Sequence, residues 1–232
     1  MTGTEHRDLP LHVEEHGSGL PVVFTHGYGD TSSTWDAQVA ALDSAYEVVV
    51  WDLRGHGRSA APHDPSAYSR DLALADLRRV IGDRPAVILC GHSLGGYLSL
   101  AYAVEHPDAV KGLVLLATGP GFRSDDSRAK WNRILVRAAR SFDVPDESIG
   151  IVEQPDSMVI DSLPGIGAPV LQIVGQDDTR YHGGVGYIER QVPDVSTLFV
   201  AGARHHPQSE QPAVVNAAIQ DFLRDLATPE PE

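Results

Sequence analysis

Cysteine is almost missing from this 232-residue chain. Cys90 stands alone, so no disulfide can form within it, and the usage suits a reducing compartment. Basic residues are scarce as well: Lys and Arg total 18 against 32 Asp and Glu, and the formal charge of −14 repels nucleic acid and anionic membrane alike. No apolar run approaches the ~18 residues that a membrane span needs. The opening MTGTEHRDLP carries acids where a secretory signal needs an apolar core. These absences lead to the expectation of a soluble, cytoplasmic protein that binds neither nucleic acid nor membrane. There is no internal repeat, and the one low-complexity segment, the PEPE tail, is expected to be disordered. The rest is ordinary for a globular domain, with 42% apolar and 22% charged residues. A chain of this length forms one core and buries roughly 70% of its unfolded surface, enough to fold without a metal or disulfide staple.

Short apolar runs alternate with longer amphipathic ones, the rhythm of βα units around a mostly parallel sheet. The runs predict strands at 22–25, 46–51, 86–90, 112–117, 169–174 and 197–200, with an earlier, half-exposed edge strand near 11–15. Most lack polar alternation, as strands covered by helices on both faces should. Val215, Ala218, Ile219, Phe222, Leu223 and Leu226 recur at helical spacing after Pro212. Ala73, Leu77, Val80 and Ile81 form a similar stripe that stops at Gly82. A further helix runs from about 94 to His106, where Pro107 ends it. After the strand ending near Ala117, roughly 50 residues pass before the next, too many for a simple connector. A helix over 127–140 with Trp131, Ile134, Leu135 and Ala138 on one face predicts a small lid there.

Chemistry enters at Gly91-His92-Ser93-Leu94-Gly95, which follows a strand and opens an apolar helix. In that context a G-x-S-x-G serine sits on a strained turn, its hydroxyl raised above the carboxyl edge of the sheet beside a helix N-terminus. A serine hydroxyl is a poor nucleophile until a base takes its proton, and the base needs a carboxylate to fix its tautomer. Two loops, each following a strand, offer these: Gly175-Gln176-Asp177-Asp178, and Gly202-Ala203-Arg204-His205-His206. The remaining need is backbone N–H groups for the developing oxyanion. His26-Gly27-Tyr28-Gly29 follows the strand over 22–25, so the Tyr28 N–H can converge with that of Leu94.

Taken together, VVFTHGYGD, WDLRGHGRS, GHSLGG, VGQDD and AGARHHPQSEQP resemble the α/β-hydrolase fold superfamily, in its lid-bearing esterase and carbon–carbon hydrolase branch. The resemblance covers about 20–118 and 165–226. It implies an α/β fold with a mostly parallel sheet of about seven or eight strands, helices on both faces and a short helical lid. Residues 1–118 and 165–232 would form the core and 119–164 the lid insertion. It also implies Ser93, Asp178 and His205 as the catalytic triad, with the amides of Tyr28 and Leu94 as the oxyanion hole. The family's acid falls three residues after the glycine, which favours Asp178 over Asp177; His205 rather than His206 directly follows the turn. Ser93 stands where the dehalogenase and epoxide-hydrolase branches carry an aspartate. Arg204 replaces a common glycine, and the lid is short for the family.

The expected function is cleavage of a small carboxylic ester or lactone through an acyl-enzyme on Ser93, with a small molecule as the partner and no cofactor or metal. Carbon–carbon hydrolysis or lysis of a carboxylate-bearing substrate by the same triad is the rival reaction. A binding protein with a retired site is the rival class. His26, His92, Phe122, Trp131 and Met158 are candidate substrate contacts, although His26 and His92 also read as hydrogen-bonded structural groups. Asp52, Arg54, His56 and Arg58 read as a polar loop tying the sheet edge, and Cys90 as a small buried hydrophobe. Between 119 and 141, Arg123, Arg128, Lys130, Arg133, Arg137 and Arg140 face only Asp125 and Asp126. A solvated helix face explains this, and so does recruitment of an acidic substrate.

Overall fold

A computed structural model describes residue 6 and residues 8–227, so the PEPE tail lies outside the described residues. Seven strands form one sheet: β1 (Val13–Gly17), β2 (Leu20–Thr25), β3 (Tyr46–Trp51), β4 (Val87–His92), β5 (Val110–Leu116), β6 (Val170–Gly175) and β7 (Val195–Val200), in spatial order β1-β3-β2-β4-β5-β6-β7. Only β1 runs antiparallel, against β3; the other pairings are parallel. This is the α/β-hydrolase fold. All the predicted strands are present, with ends shifted by no more than two residues.

Register explains why the apolar runs are uninterrupted. Phe24, Cys90, Val114 and Leu171 stand side by side across β2, β4, β5 and β6, and so do Val23, Leu89, Leu113 and Val170 one residue earlier. Successive side chains point to opposite faces, so the two rows enter two cores. The first row packs with Val215, Ile219 and Leu223 of α8 (Pro212–Ala227) and Leu42 of α1 (Asp36–Leu42). The second packs with Leu77 of α2 (Arg70–Ile81) and Leu98 of α3 (Leu94–Glu105). Local signals set the helix ends: the Ser69 side chain caps α2 by accepting from the Leu72 N–H at 3.2 Å, and Gly82 ends it at φ +61°.

Between β5 and β6 lie α4 (Asp125–Ala139), a 3₁₀ turn over Asp146–Ile151, α5 (Met158–Ser162) and a second 3₁₀ turn over Leu163–Gly165. Then come α6 (Thr179–Gln191) between β6 and β7, and the single turn α7 (Pro207–Glu210) before α8. The α6 helix escapes sequence reading because Gly183, Gly184 and Gly186 lower its intrinsic propensity. Burial of Val185 and Ile188 holds it in place. Among the described residues no helix is long and apolar enough to cross a membrane.

Candidate active site

The β4–α3 turn carries Ser93 at φ 51° and ψ −110°, a strained backbone for a residue with a β-carbon. Around it the chain leaves no room. A β-carbon on Gly95 would collide with the Thr25 carbonyl, and one on Gly91 with the Gly95 carbonyl, which accounts for both glycines of the motif. The turn is held by the Ser93 N–H donating to the Leu116 carbonyl (2.8 Å) and by the Thr118 hydroxyl donating to the Ser93 carbonyl (2.7 Å).

His205 reaches the serine from the loop after β7, and Asp178 reaches His205 from the end of β6. His205 Nε2 lies 3.1 Å from Ser93 Oγ, and His205 Nδ1 lies 2.7 Å from Asp178 Oδ2. A carboxylate only accepts, so Nδ1 carries the proton and Nε2 turns its lone pair to the hydroxyl. Asp177 is exposed, while its backbone N–H donates to Ala203 (3.0 Å), pinning the acid loop to the histidine loop. The Tyr181 ring stacks on His205 at 4.6 Å and 26°. Burial raises the pKa of that phenol.

Two cavities, of about 420 and 540 Å³, meet at Ser93 and share Tyr28, Leu135, Val152, Arg180 and Tyr181. The first is largely apolar and aromatic. It includes Phe122 and Trp131, whose rings lie 5.5 Å apart, and also Leu94 and Gln154. Leu94 opens α3, so its N–H belongs to the unpaired first turn of that helix. Tyr28 borders both cavities, and its hydroxyl bonds Ser148 Oγ at 2.7 Å, joining the 26–29 loop to the insertion. The second is more polar than the first, with Asp30, His92, Arg204 and His206 around the imidazole of His205.

Several expectations need correction. His26 borders neither cavity: it is fully buried, accepts from the Leu53 N–H at 3.0 Å and donates to the Gly27 carbonyl at 2.7 Å, and burial lowers its pKa. Met158 also borders neither, packing instead against the core as the first residue of α5. The basic residues of the insertion turn away from the site. Lys130, Arg133, Arg137 and Arg140 are exposed. Arg123 pairs with Asp161 (2.5 Å), and Arg128 pairs with Asp125 and donates to the Phe122 and Arg123 carbonyls. The cation beside both cavities is Arg180, from α6. Sequence reading passed over Arg180, Tyr181 and Gln154; the first two follow the acid loop by two and three residues, which was the available signal.

The polar loop is structural, as expected. Buried Asp52 accepts from the backbone N–H of Ser32 (2.6 Å) and of Arg58 (2.8 Å). Arg54, fully buried, forms a two-pronged pair with Asp76 (2.6 and 2.9 Å). A different cluster offers metal-type donors. His92 Nδ1 and His206 Nε2 lie 3.1 and 3.3 Å from the two oxygens of Asp30.

A seven-stranded, mostly parallel sheet with a strained serine turn at the end of β4 defines a class. Residues 21–144 match the family described as the alpha/beta hydrolase fold, and the chain belongs to it. Among solved structures it is similar to a thermophilic esterase from Thermogutta terrifontis with malate bound: 27% identity, TM-score 0.82 and 95% of both chains covered. Among curated proteins it is similar to an epoxide hydrolase from Caballeronia sordidicola, 38% identical over 108 residues, covering 45% of this chain and 33% of that one. A pimeloyl-[acyl-carrier protein] methyl ester esterase from Nitrosomonas europaea is 36% identical over 126 residues, covering 52% and 45%. The match thus spans about a third to a half of the length of these curated relatives.

Proposed function

We propose that the chain is a serine hydrolase of small carboxylic esters or lactones, with Ser93 as nucleophile, His205 as base and Asp178 as the acid orienting it. The observation that carries this reading is the chain of contacts from Ser93 Oγ to His205 (3.1 Å) to Asp178 (2.7 Å), where two cavities meet. His205 takes the serine proton as Oγ attacks the carbonyl, and Asp178 stabilises the imidazolium that forms. The Tyr28 and Leu94 amides hold the oxyanion, each worth about 10²–10³ in rate. His205 then protonates the leaving group and afterwards activates water to release the acid. The aromatic cavity suits an acyl chain, and residues 119–164 act as a lid that supplies its outer wall. Ser93 and the esterase relatives favour esters over the epoxide named for one relative.

Arg180, bordering both cavities, supports a second reading: cleavage of a carbon–carbon bond in a carboxylate-bearing substrate by the same triad. A panel of short and medium acyl esters, run on wild type and Ser93→Ala, tests the first. Simple esters should turn over well above background, and loss of the hydroxyl should abolish essentially all of it, because triad members act as a unit. Negligible ester turnover with strong cleavage of an acidic diketone would favour the second. Failure of a fluorophosphonate to label Ser93 in folded protein would refute both and leave a binding protein.

A further inference from the structure

Beside the triad, the second cavity holds three side chains that the proposed hydrolysis does not use. Asp30, His92 and His206 each present one donor atom, all within 4.8 Å of one another. The pairs through Asp30 measure 3.1 and 3.3 Å. A tetrahedral ion with bonds of about 2.0–2.1 Å needs donors roughly 3.3 Å apart, and two of the three spacings are near that length, each through a different oxygen of Asp30 (Oδ2 to His92, Oδ1 to His206), so a turn of the carboxylate brings one oxygen to both. The third closes with a turn of His206, whose side chain is 40% exposed.

Orientation points the same way. His92 Nε2 lies 2.7 Å from the His205 carbonyl, which only accepts, so this nitrogen carries the proton and Nδ1 faces Asp30. That is the arrangement of a metal-binding imidazole: one nitrogen anchored by a backbone carbonyl, the other presented to the ion. His92 is 1% exposed, so its ring is fixed in that orientation.

We propose that Asp30, His92 and His206 form a site for a divalent transition ion of the Zn²⁺ type, and that occupancy slows turnover at Ser93. The inhibitory half rests on the hydrolase reading. The His205 ring lies 4.9 Å from His92 and 5.4 Å from His206, so an ion held there opposes the positive charge that His205 must acquire. Neutral ligation by two imidazoles and one carboxylate leaves a net positive site, and the remaining coordination positions open to the cavity.

The test uses the untagged, metal-free chain. Zn²⁺ is titrated in competition with a chromophoric chelator, and Co²⁺ is added separately to record its visible bands. Wild type is compared with His206→Gln, Asp30→Asn and His16→Gln. The last is a control, because His12 and His16 flank Glu14 on the exposed edge strand and provide a competing place for an ion. The expected result is one ion per chain, with affinity falling by more than about tenfold in His206→Gln and Asp30→Asn but not in His16→Gln. Circular dichroism and melting verify that the variants are folded. Unchanged affinity in His206→Gln, or loss only in His16→Gln, would overturn the site. In the ester assay Zn²⁺ should slow wild type and spare His206→Gln; a bound ion with no effect on rate would overturn the inhibitory half. No ester turnover in the metal-free chain would instead strike the hydrolase reading and the inhibitory half with it, while the titration decides the metal site independently.

Discussion

Replacing Gln154 by methionine should make the fold more stable and the enzyme less discriminating. Asn132 grips the Gln154 backbone: its Oδ1 accepts from the Gln154 N–H at 3.2 Å, and its Nδ2 donates to the Gln154 carbonyl at 3.4 Å. The side chain, 8% exposed, lies in the wall of the apolar cavity, where its Oε1 is closed to solvent and has no hydrogen-bond partner. Leaving such an acceptor unpaired costs about 1–3 kcal/mol. Methionine has the same length and no branch, so it removes that cost while filling nearly the same space. In a chain of this size each kcal/mol moves Tm by about 2–4 °C, so a rise of a few degrees is expected. The carboxamide then has a use only when a bound acyl group supplies its partner. The value of kcat/KM should therefore fall for esters with a hydroxyl or amide on the acyl chain, and hold or rise for plain alkanoyl esters. Differential scanning fluorimetry, urea unfolding with an unchanged m value and the two ester series measure both effects. A fall in Tm of similar size would refute the reasoning, since it would mean the carboxamide is paired and structural.

Two further outcomes follow from contacts around the site. Asp178→Ala should lower kcat by about 10³–10⁴ while Asp177→Asn stays near wild type, because only Asp178 reaches His205; equal losses on the ester panel would move the acid to the wrong residue. The Asp156 tie should fail in acid. Two hydrogen bonds from Arg70 (2.7 and 3.0 Å) hold its carboxyl below the usual carboxylate range. A depressed folded pKa stabilises above the unfolded value, and that stability is lost as pH falls through the folded one. The Tm gap between wild type and Asp156→Asn should therefore be small, since Asp156 is 45% exposed, and should shrink below about pH 4. A gap independent of pH would rule this out.

The placement of the proposed triad was more legible than that of the cavity lining. Ser93, Asp178 and His205 each occupy the first loop after a strand, so the sheet alone brings them to one edge once the strands are recognised. The signal is local, and the topology does the rest. Arg180 and Tyr181 escaped because α6 is broken up by glycines and carries no clear stripe; its helical state is set by burial of Val185 and Ile188 rather than by propensity. The insertion was ambiguous in another way. Its run of basic residues left both a solvated face and an acidic-substrate magnet open, and the structure favours the first: α4 turns Trp131, Leu135 and Ala138 towards the cavities, leaves Ile134 exposed, and points Arg133, Arg137 and Arg140 to solvent. His26 looked like a site residue from its place beside Gly27, whereas both its ring nitrogens are consumed in anchoring strand ends.

This division has a consequence for how the site can vary. The proposed nucleophile sits on a turn packed so tightly that a β-carbon at Gly91 or Gly95 cannot be admitted, and His205 is held by Asp178, by the Tyr181 ring and, through its carbonyl, by His92. Much of the cavity wall is contributed by the insertion, through Phe122, Trp131, Leu135 and Gln154. Its polar attachments to the core include Arg70 to Asp156 and Tyr28 to Ser148. The contacts holding the proposed triad and those holding the cavity wall are thus largely separate, meeting at Tyr28 and at the Tyr181 ring, and substitutions away from those two residues should add. Changes at Trp131 or Leu135 should alter KM and chain-length preference while leaving the fluorophosphonate reactivity of Ser93 intact, because the insertion shapes what enters and the sheet edge decides what happens to it.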